Sequence, residues 1–154
     1  YLDFKKIIAC GGSWMVNGDM VKTKDWEGIT RLTKEAVATM LGFTMKHVGI
    51  NNQNEGDAQS QADKFASIFG VEKAEGNSSI FVNQMVEVMK GQGRGKNGHI
   101  AVGTNYVDRA VYHLEKRGFT FDESSKQFNE DGTLKFIYFT EEIGGFAIHL
   151  TQNK

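Results

Sequence analysis

The 154-residue sequence predicts an α+β fold: two βαβββ modules preceded by one β-α unit. An internal echo carries most of this reading. His47-Val48-Gly49-Ile50-Asn51-Asn52 recurs as His99-Ile100-Ala101-Val102-Gly103-Thr104-Asn105, and each copy leads into an amphipathic stretch and then into strand-like runs. A segment rich in glycine and lysine, residues 91–97, separates the copies. The first 42 residues follow another plan, one apolar run and one long amphipathic stretch. Two domains are therefore expected, 1–42 and 43–154, the second made of modules at about 43–91 and 97–154.

Each element has a local reason. Ile7-Ile8-Ala9-Cys10 lacks polar alternation, as a strand buried on both faces does. Gly11-Gly12-Ser13-Trp14 and a loop follow. Asp25 is placed to cap a helix striped by Trp26, Ile29, Thr33, Ala36, Val37 and Met40, which Gly42 ends. Residues 45–51 then alternate as a strand, with His47 and Gly49 on one face and Val48 and Ile50 on the other.

The next helix starts near Asp57, carries Ala58, Ala62, Phe65 and Phe69, and stops at Gly70. Residues 78–82 and 85–89 form a hairpin through Asn83-Gln84, with 71–74 as an edge strand. In the second module Gly98 opens the strand and Asn105 caps a helix lined by Val107, Ala110, Val111 and Leu114, ended by Gly118. Strands at 119–121, 134–140 and 146–151 follow, with turns at 129–132 and at Gly144-Gly145. Arg94 and Lys96, set among Gly91, Gly93 and Gly95, read as a flexible linker.

Hydrophobic residues make up 40% of the chain and charged residues 24%, a balance that excludes both a disordered and a membrane-embedded class. A net charge of −1 gives no electrostatic basis for binding nucleic acid or an anionic membrane. Cys10 is the one cysteine, so no intrachain disulfide can form and a cytoplasmic location is expected. The chain opens on Tyr1, and Leu2 to Lys6 read as the tail of an earlier element, so a piece of a longer protein is expected. Exposed apolar surface on residues 7–16 predicts either self-association, as a homo-oligomer, or packing against the second domain.

Four side chains stand out for their chemistry. His47, Glu87, His99 and His149 occupy repeat-related strands, and in three of the four their same-face neighbours are small: Gly49, Ala101 with Gly103, and Ala147 with Thr151. The branched residues between them would pack under helices, leaving the small-residue face to line a hollow. Three imidazoles and a carboxylate suit a divalent ion such as zinc, nickel, iron or manganese, with Glu87 as ligand or general base. Gly11, Gly12 and Ser13 offer backbone N–H groups and a hydroxyl to an anion at a strand end. His113 lies off its helix's apolar stripe and reads as a solvated side chain.

Two resemblances add to this. Tyr1 to Lys5 and Cys10-Gly11-Gly12-Ser13-Trp14-Met15-Val16 resemble the closing segment of the 2-keto-3-deoxy-6-phosphogluconate / 4-hydroxy-2-oxoglutarate aldolases, with 25–41 as the last helix of their (β/α)8 barrel. The resemblance implies a parent carbon–carbon lyase, phosphate binding by Gly11, Gly12 and Ser13, and a keto acid or related small molecule as ligand. No part of the chain matches that family's Schiff-base lysine or acid/base glutamate, so aldolase activity is not expected of it alone. Residues 43–154 resemble the vicinal-oxygen-chelate (glyoxalase/bleomycin-resistance/dioxygenase) fold, whose metal ligands fall here on His47, Glu87, His99 and His149. The family's usual glutamate in the last strand is His149 in this chain. Ile143 to Leu150 resembles the ending of a C-terminal extension carried by some bacterial aldolases. The expected roles are a metal- or small-ligand-binding domain, a metal-dependent enzyme in its own right, or a metal-free binding or dimerisation module.

Overall fold

The computed structural model describes Ala9 and residues 11–153, and divides the chain into two compact units, Tyr1–Phe43 and Thr44–Lys154. The strand expected at 7–10 lies outside the described residues except for Ala9. In the first unit a short 3-10 turn, Ser13–Met15, precedes two helices, α1 (Gly18–Thr23) and α2 (Trp26–Leu41). The segment expected to be a loop contains α1, because Asn17 accepts hydrogen bonds from the N–H groups of Asp19 and Met20 and so nucleates a turn. Asp25 caps α2 through the Gly28 N–H, and Gly42 closes it in the left-handed conformation, φ +56°.

The second unit is one eight-stranded sheet with two helices. Its first module runs β1 (Thr44–Ile50), α3 (Glu55–Phe69), β2 (Lys73–Glu75), β3 (Ser79–Val82) and β4 (Val86–Met89). Its second runs β5 (Gly98–Thr104), α4 (Val107–Glu115), β6 (Phe121–Phe128), β7 (Leu134–Ile143) and β8 (Phe146–Gln152). The strand order is β2-β3-β4-β1-β5-β8-β7-β6, so each module keeps its opening strand at the centre. β1 and β5 pair antiparallel across the seam, while β4 and β8 flank them in parallel. This is the paired βαβββ architecture that the internal echo predicts.

The branched residues do pack under the helices. Ala58 and Ala62 of α3 are fully buried with Ile80, Val82 and Val88, and Phe65, Ala66, Val71 and Val86 pack around them. In the second module Val107, Ala110 and Leu114 of α4 are buried, as are Ile137, Ile148 and Leu150 of the neighbouring strands. These apolar layers fix the register, and a one-residue slip would turn the opposite face inward.

Several boundaries differ from expectation. α3 begins at Glu55, not near Asp57, because Asn54 supplies the cap to the Asp57 N–H. α4 is preceded by Tyr106, which makes no side-chain cap, and it ends at Glu115, short of Gly118. β6 continues to Phe128, well past the strand expected at 119–121; it is an edge strand, paired with β7 alone and through irregular register.

Candidate metal centre

Register puts the four candidate side chains on one face of the sheet. Gly49 of β1 stands opposite both Glu87 of β4 and His99 of β5. His99 in turn pairs with Ala147 and Ala101 with His149. Paired residues share a face, and alternation brings His47 onto it beside Gly49. The small residues at 49, 101 and 147 leave room for rings to lean together.

They do lean together. His47 Nε2 lies 3.1 Å from His99 Nε2, and Glu87 Oε2 lies 3.2 Å from the first and 3.0 Å from the second. One ligand atom from each of His47, His99 and His149 falls within 4.8 Å of the others, so the three imidazoles could hold a metal ion. Ring centroids of the three pairs are 5.2 to 5.8 Å apart. The centre is sheltered: the side chains of His99, Glu87 and His47 are 8%, 15% and 19% exposed, and His149 is buried.

A supporting layer fixes these groups. Ser79 Oγ donates to Glu87 Oε1 at 2.6 Å, leaving Oε2 for the histidines. Phe81 stands edge-on to His47 at 5.5 Å, and Phe136 and Tyr138 close on His149 at 4.4 and 5.0 Å. Burial alone would push the Glu87 carboxyl up, but hydrogen bonds from His47, His99 and Ser79 outweigh it and hold the group well below the usual carboxylate range. Burial, helped by the charges His99 and His47 would carry, pulls the His149 imidazole down to about 3, so it is a neutral ring with one nitrogen lone pair to offer.

Whether a metal fits can be judged from the donors themselves. Among the described residues His149 Nδ1 is buried without a hydrogen-bond partner, an expense a folded chain rarely leaves unrelieved. The 3.0–3.2 Å donor spacings also suit an ion. Metal–nitrogen bonds of about 2.0–2.1 Å place neighbouring donors roughly 3.0 Å apart in an octahedral site and roughly 3.4 Å apart in a tetrahedral one. The donor set fits a borderline divalent cation.

Ser79, Phe81, Phe136, Tyr138 and Arg94 escaped the sequence reading. Tyr138 pairs with His149 across β7 and β8, a relation visible only once register is known. Gly11, Gly12 and Ser13 belong to the first unit. There the Trp14 indole folds over Gly12, where an added Cβ would lie 2.5 Å from Nε1. His113 is partly buried and meets Tyr112 edge-on at 5.3 Å. Cys10 lies outside the described residues. None of the described helices is long and apolar enough to cross a membrane.

No protein-family model matches the chain. Among curated proteins it is similar to 2-dehydro-3-deoxy-phosphogluconate aldolases. It is 40% identical over 37 residues to that of Haemophilus influenzae and 43% identical over 43 residues to that of Pseudoalteromonas atlantica. These stretches cover 24% and 28% of this chain but 18% and 20% of the relatives, so the chain spans about one fifth of the length of the curated relatives it matches. Among solved structures, 73% of the chain overlays 95% of a hypothetical protein from Bacillus halodurans C-125 at 12% identity and a TM-score of 0.49. A further 75% overlap covers 90% of methylmalonyl-CoA epimerase from Mycobacterium tuberculosis at 14% identity and a TM-score of 0.49.

Proposed function

We propose that residues 44–154 form a divalent-metal domain in which His47, Glu87, His99 and His149 hold one ion and present it to a small oxygenated ligand. The observation that carries this reading is the triangle of His47 Nε2, His99 Nε2 and Glu87 Oε2, every side of it 3.0–3.2 Å. With Glu87 ionised, hydrogen bonds cannot satisfy all three sides. If both imidazoles donate to the carboxylate, two N–H groups face each other. If one imidazole accepts from the other, its lone pair has no proton to offer the carboxylate. A shared cation relieves every contact at once, and the partnerless His149 Nδ1 supports the same reading.

When bound, such an ion polarises a carbonyl or enediolate oxygen or acidifies water. The chain's own contribution is to orient. Ser79 fixes the Glu87 carboxylate, whose low proton affinity keeps it ionised as a ligand; freed of its histidine contacts by a substrate, it would regain the proton affinity that a base needs. The aromatic rings of Phe81, Phe136 and Tyr138 restrict water at the centre.

Elemental analysis of protein purified without added metal, followed by calorimetric titration of zinc and manganese, tests this. One tight ion per chain is expected, lost in His99→Ala. A stoichiometry near zero, unchanged by His99→Ala, rejects it and leaves a metal-free binding or dimerisation module.

The short aldolase matches favour a second, compatible reading of the whole protein. In it this chain is the C-terminal part of a keto-hydroxyglutarate / keto-deoxy-phosphogluconate aldolase, and Gly11, Gly12 and Ser13 belong to its phosphate site. Gene sequence upstream of Tyr1 must then encode a lysine-bearing barrel strand. A cytoplasmic, self-associating protein belongs to the same proposal, tested by cell fractionation and sedimentation.

A further inference from the structure

Beside the histidine centre stands a cation that the metal reading does not use. Arg94 lies on the connection between the modules, and its guanidinium sits 4.5 Å from the centre of the Tyr138 ring. Tyr138 in turn packs on His149, so the guanidinium and a histidine of the centre contact the same aromatic ring. Tyr138 feels both sites. Burial raises its hydroxyl pKa, with the Arg94 charge pulling it down and the Glu87 charge pushing it up.

The connection that carries Arg94 is tied down by hydrogen bonds. The Asn51 side-chain amide donates to the Gly95 carbonyl at 2.8 Å and, more weakly, to those of Gly93 and Arg94. Asn51 Oδ1 accepts from the Gly93 N–H at 3.0 Å. Asn97 ties the far end down, accepting from the Asn51 N–H and donating its own to Gly145 O. Gly95 turns at φ +77°, where an added Cβ would lie 2.0 Å from Gly98 O.

The side chain is oriented but not consumed. Arg94 Nη1 donates to Asp122 Oδ2 at 2.7 Å, and Ser124 fixes the other carboxylate oxygen through its N–H and hydroxyl. The remaining guanidinium N–H donors make no hydrogen bond within the described chain, and the side chain is 48% exposed. Asp122 therefore acts as a post that aims the fork, and Tyr138 supports its face. The donor set adds a charge argument. Three neutral imidazoles and one carboxylate leave a divalent ion with one uncompensated positive charge.

We propose that Arg94 is the specificity-determining anchor for a substrate carboxylate, and that the substrate is a small monocarboxylate carrying a second oxygen that reaches the histidine centre. This rests on the metal reading above. A planar guanidinium with free donors matches a carboxylate in geometry, and a monoanion matches the residual charge of the loaded centre.

Calorimetry with pyruvate and its uncharged methyl ester on zinc-loaded protein tests it, with zinc content measured on every sample. Wild type is expected to bind pyruvate at least tenfold more tightly than the ester. Arg94→Gln should abolish that preference at unchanged zinc content, and Arg94→Lys should restore part of it. Equal binding of pyruvate by wild type and Arg94→Gln overturns the anchor, as does wild type with full zinc and no pyruvate binding. Wild type without zinc overturns the metal reading and this inference with it, and the zinc assay identifies that case.

Discussion

Gly49 and His99 are cross-strand partners at the seam between the two modules, and the imidazole fills the space a Cβ on Gly49 would occupy, with Cε1 only 2.1 Å from it. The glycine is therefore what lets a ring lie flat on the sheet and reach Glu87. Gly49→Ala should push the ring away from Glu87. Overpacking of this kind costs about 1–3 kcal/mol, and metal affinity should fall at least tenfold. Denaturant titration and metal calorimetry on the variant check both. Unchanged metal affinity would show that His99 does not need this position.

Ser79→Ala isolates the supporting layer. The hydroxyl makes a 2.6 Å bond to Glu87 Oε1 and touches neither histidine through any hydrogen bond. Its loss should leave the fold intact while the carboxylate rotates more freely. Loss of such an outer partner typically weakens metal binding about 10- to 100-fold. Calorimetry on folded Ser79→Ala measures it, and wild-type affinity would mean that Glu87 is held by its other contacts alone.

The β3–β4 turn makes a prediction away from the centre. Asn83 and Gln84 both have positive φ, +50° and +56°, the pattern of a two-residue hairpin turn that favours Asn-Gly. Asparagine tolerates the conformation, whereas glutamine has no local hydrogen bond to recover its cost. Gln84→Gly should stabilise the protein by about 1 kcal/mol, with metal affinity unchanged. Equilibrium denaturation decides, and a destabilised variant would point to a role for the Gln84 side chain.

How much of this was legible in the sequence depends on which interactions set each feature. Alternation around His47, His99 and His149 exposed the faces, because apolar layers under α3 and α4 demand period two. Helix α1 was missed since the Asn17 cap makes it, not an apolar stripe. Most of β6 was missed because its residues are largely polar on both faces, as an edge strand permits. The segment carrying Arg94 read as flexible from its glycines, yet the distant Asn51 amide and the backbone of Asn97 clamp it. Tyr138 and Ser79 become readable only after register is known, because their partners lie on neighbouring strands.

Acid should unfold the metal-free protein through the centre itself. In the unfolded chain His149 takes up a proton near its ordinary pKa of 6.5, while the folded protein keeps the ring neutral down to about 3, chiefly through burial. Between those values the unfolded state binds more protons, so stability rises with pH and is lost as pH falls. Glu87 acts in the same direction below its ordinary 4.5, since the folded protein holds the carboxylate ionised where the unfolded chain protonates it. Each proton of difference is worth up to about 1.4 kcal/mol per pH unit. Thermal melts of EDTA-treated protein from about pH 7 to about pH 4 should show a steadily falling Tm, and His149→Leu should flatten the upper part of that slope. A Tm that stays level across this range, or a slope unaltered in His149→Leu, would mean that the buried imidazole is not what makes the fold acid-sensitive.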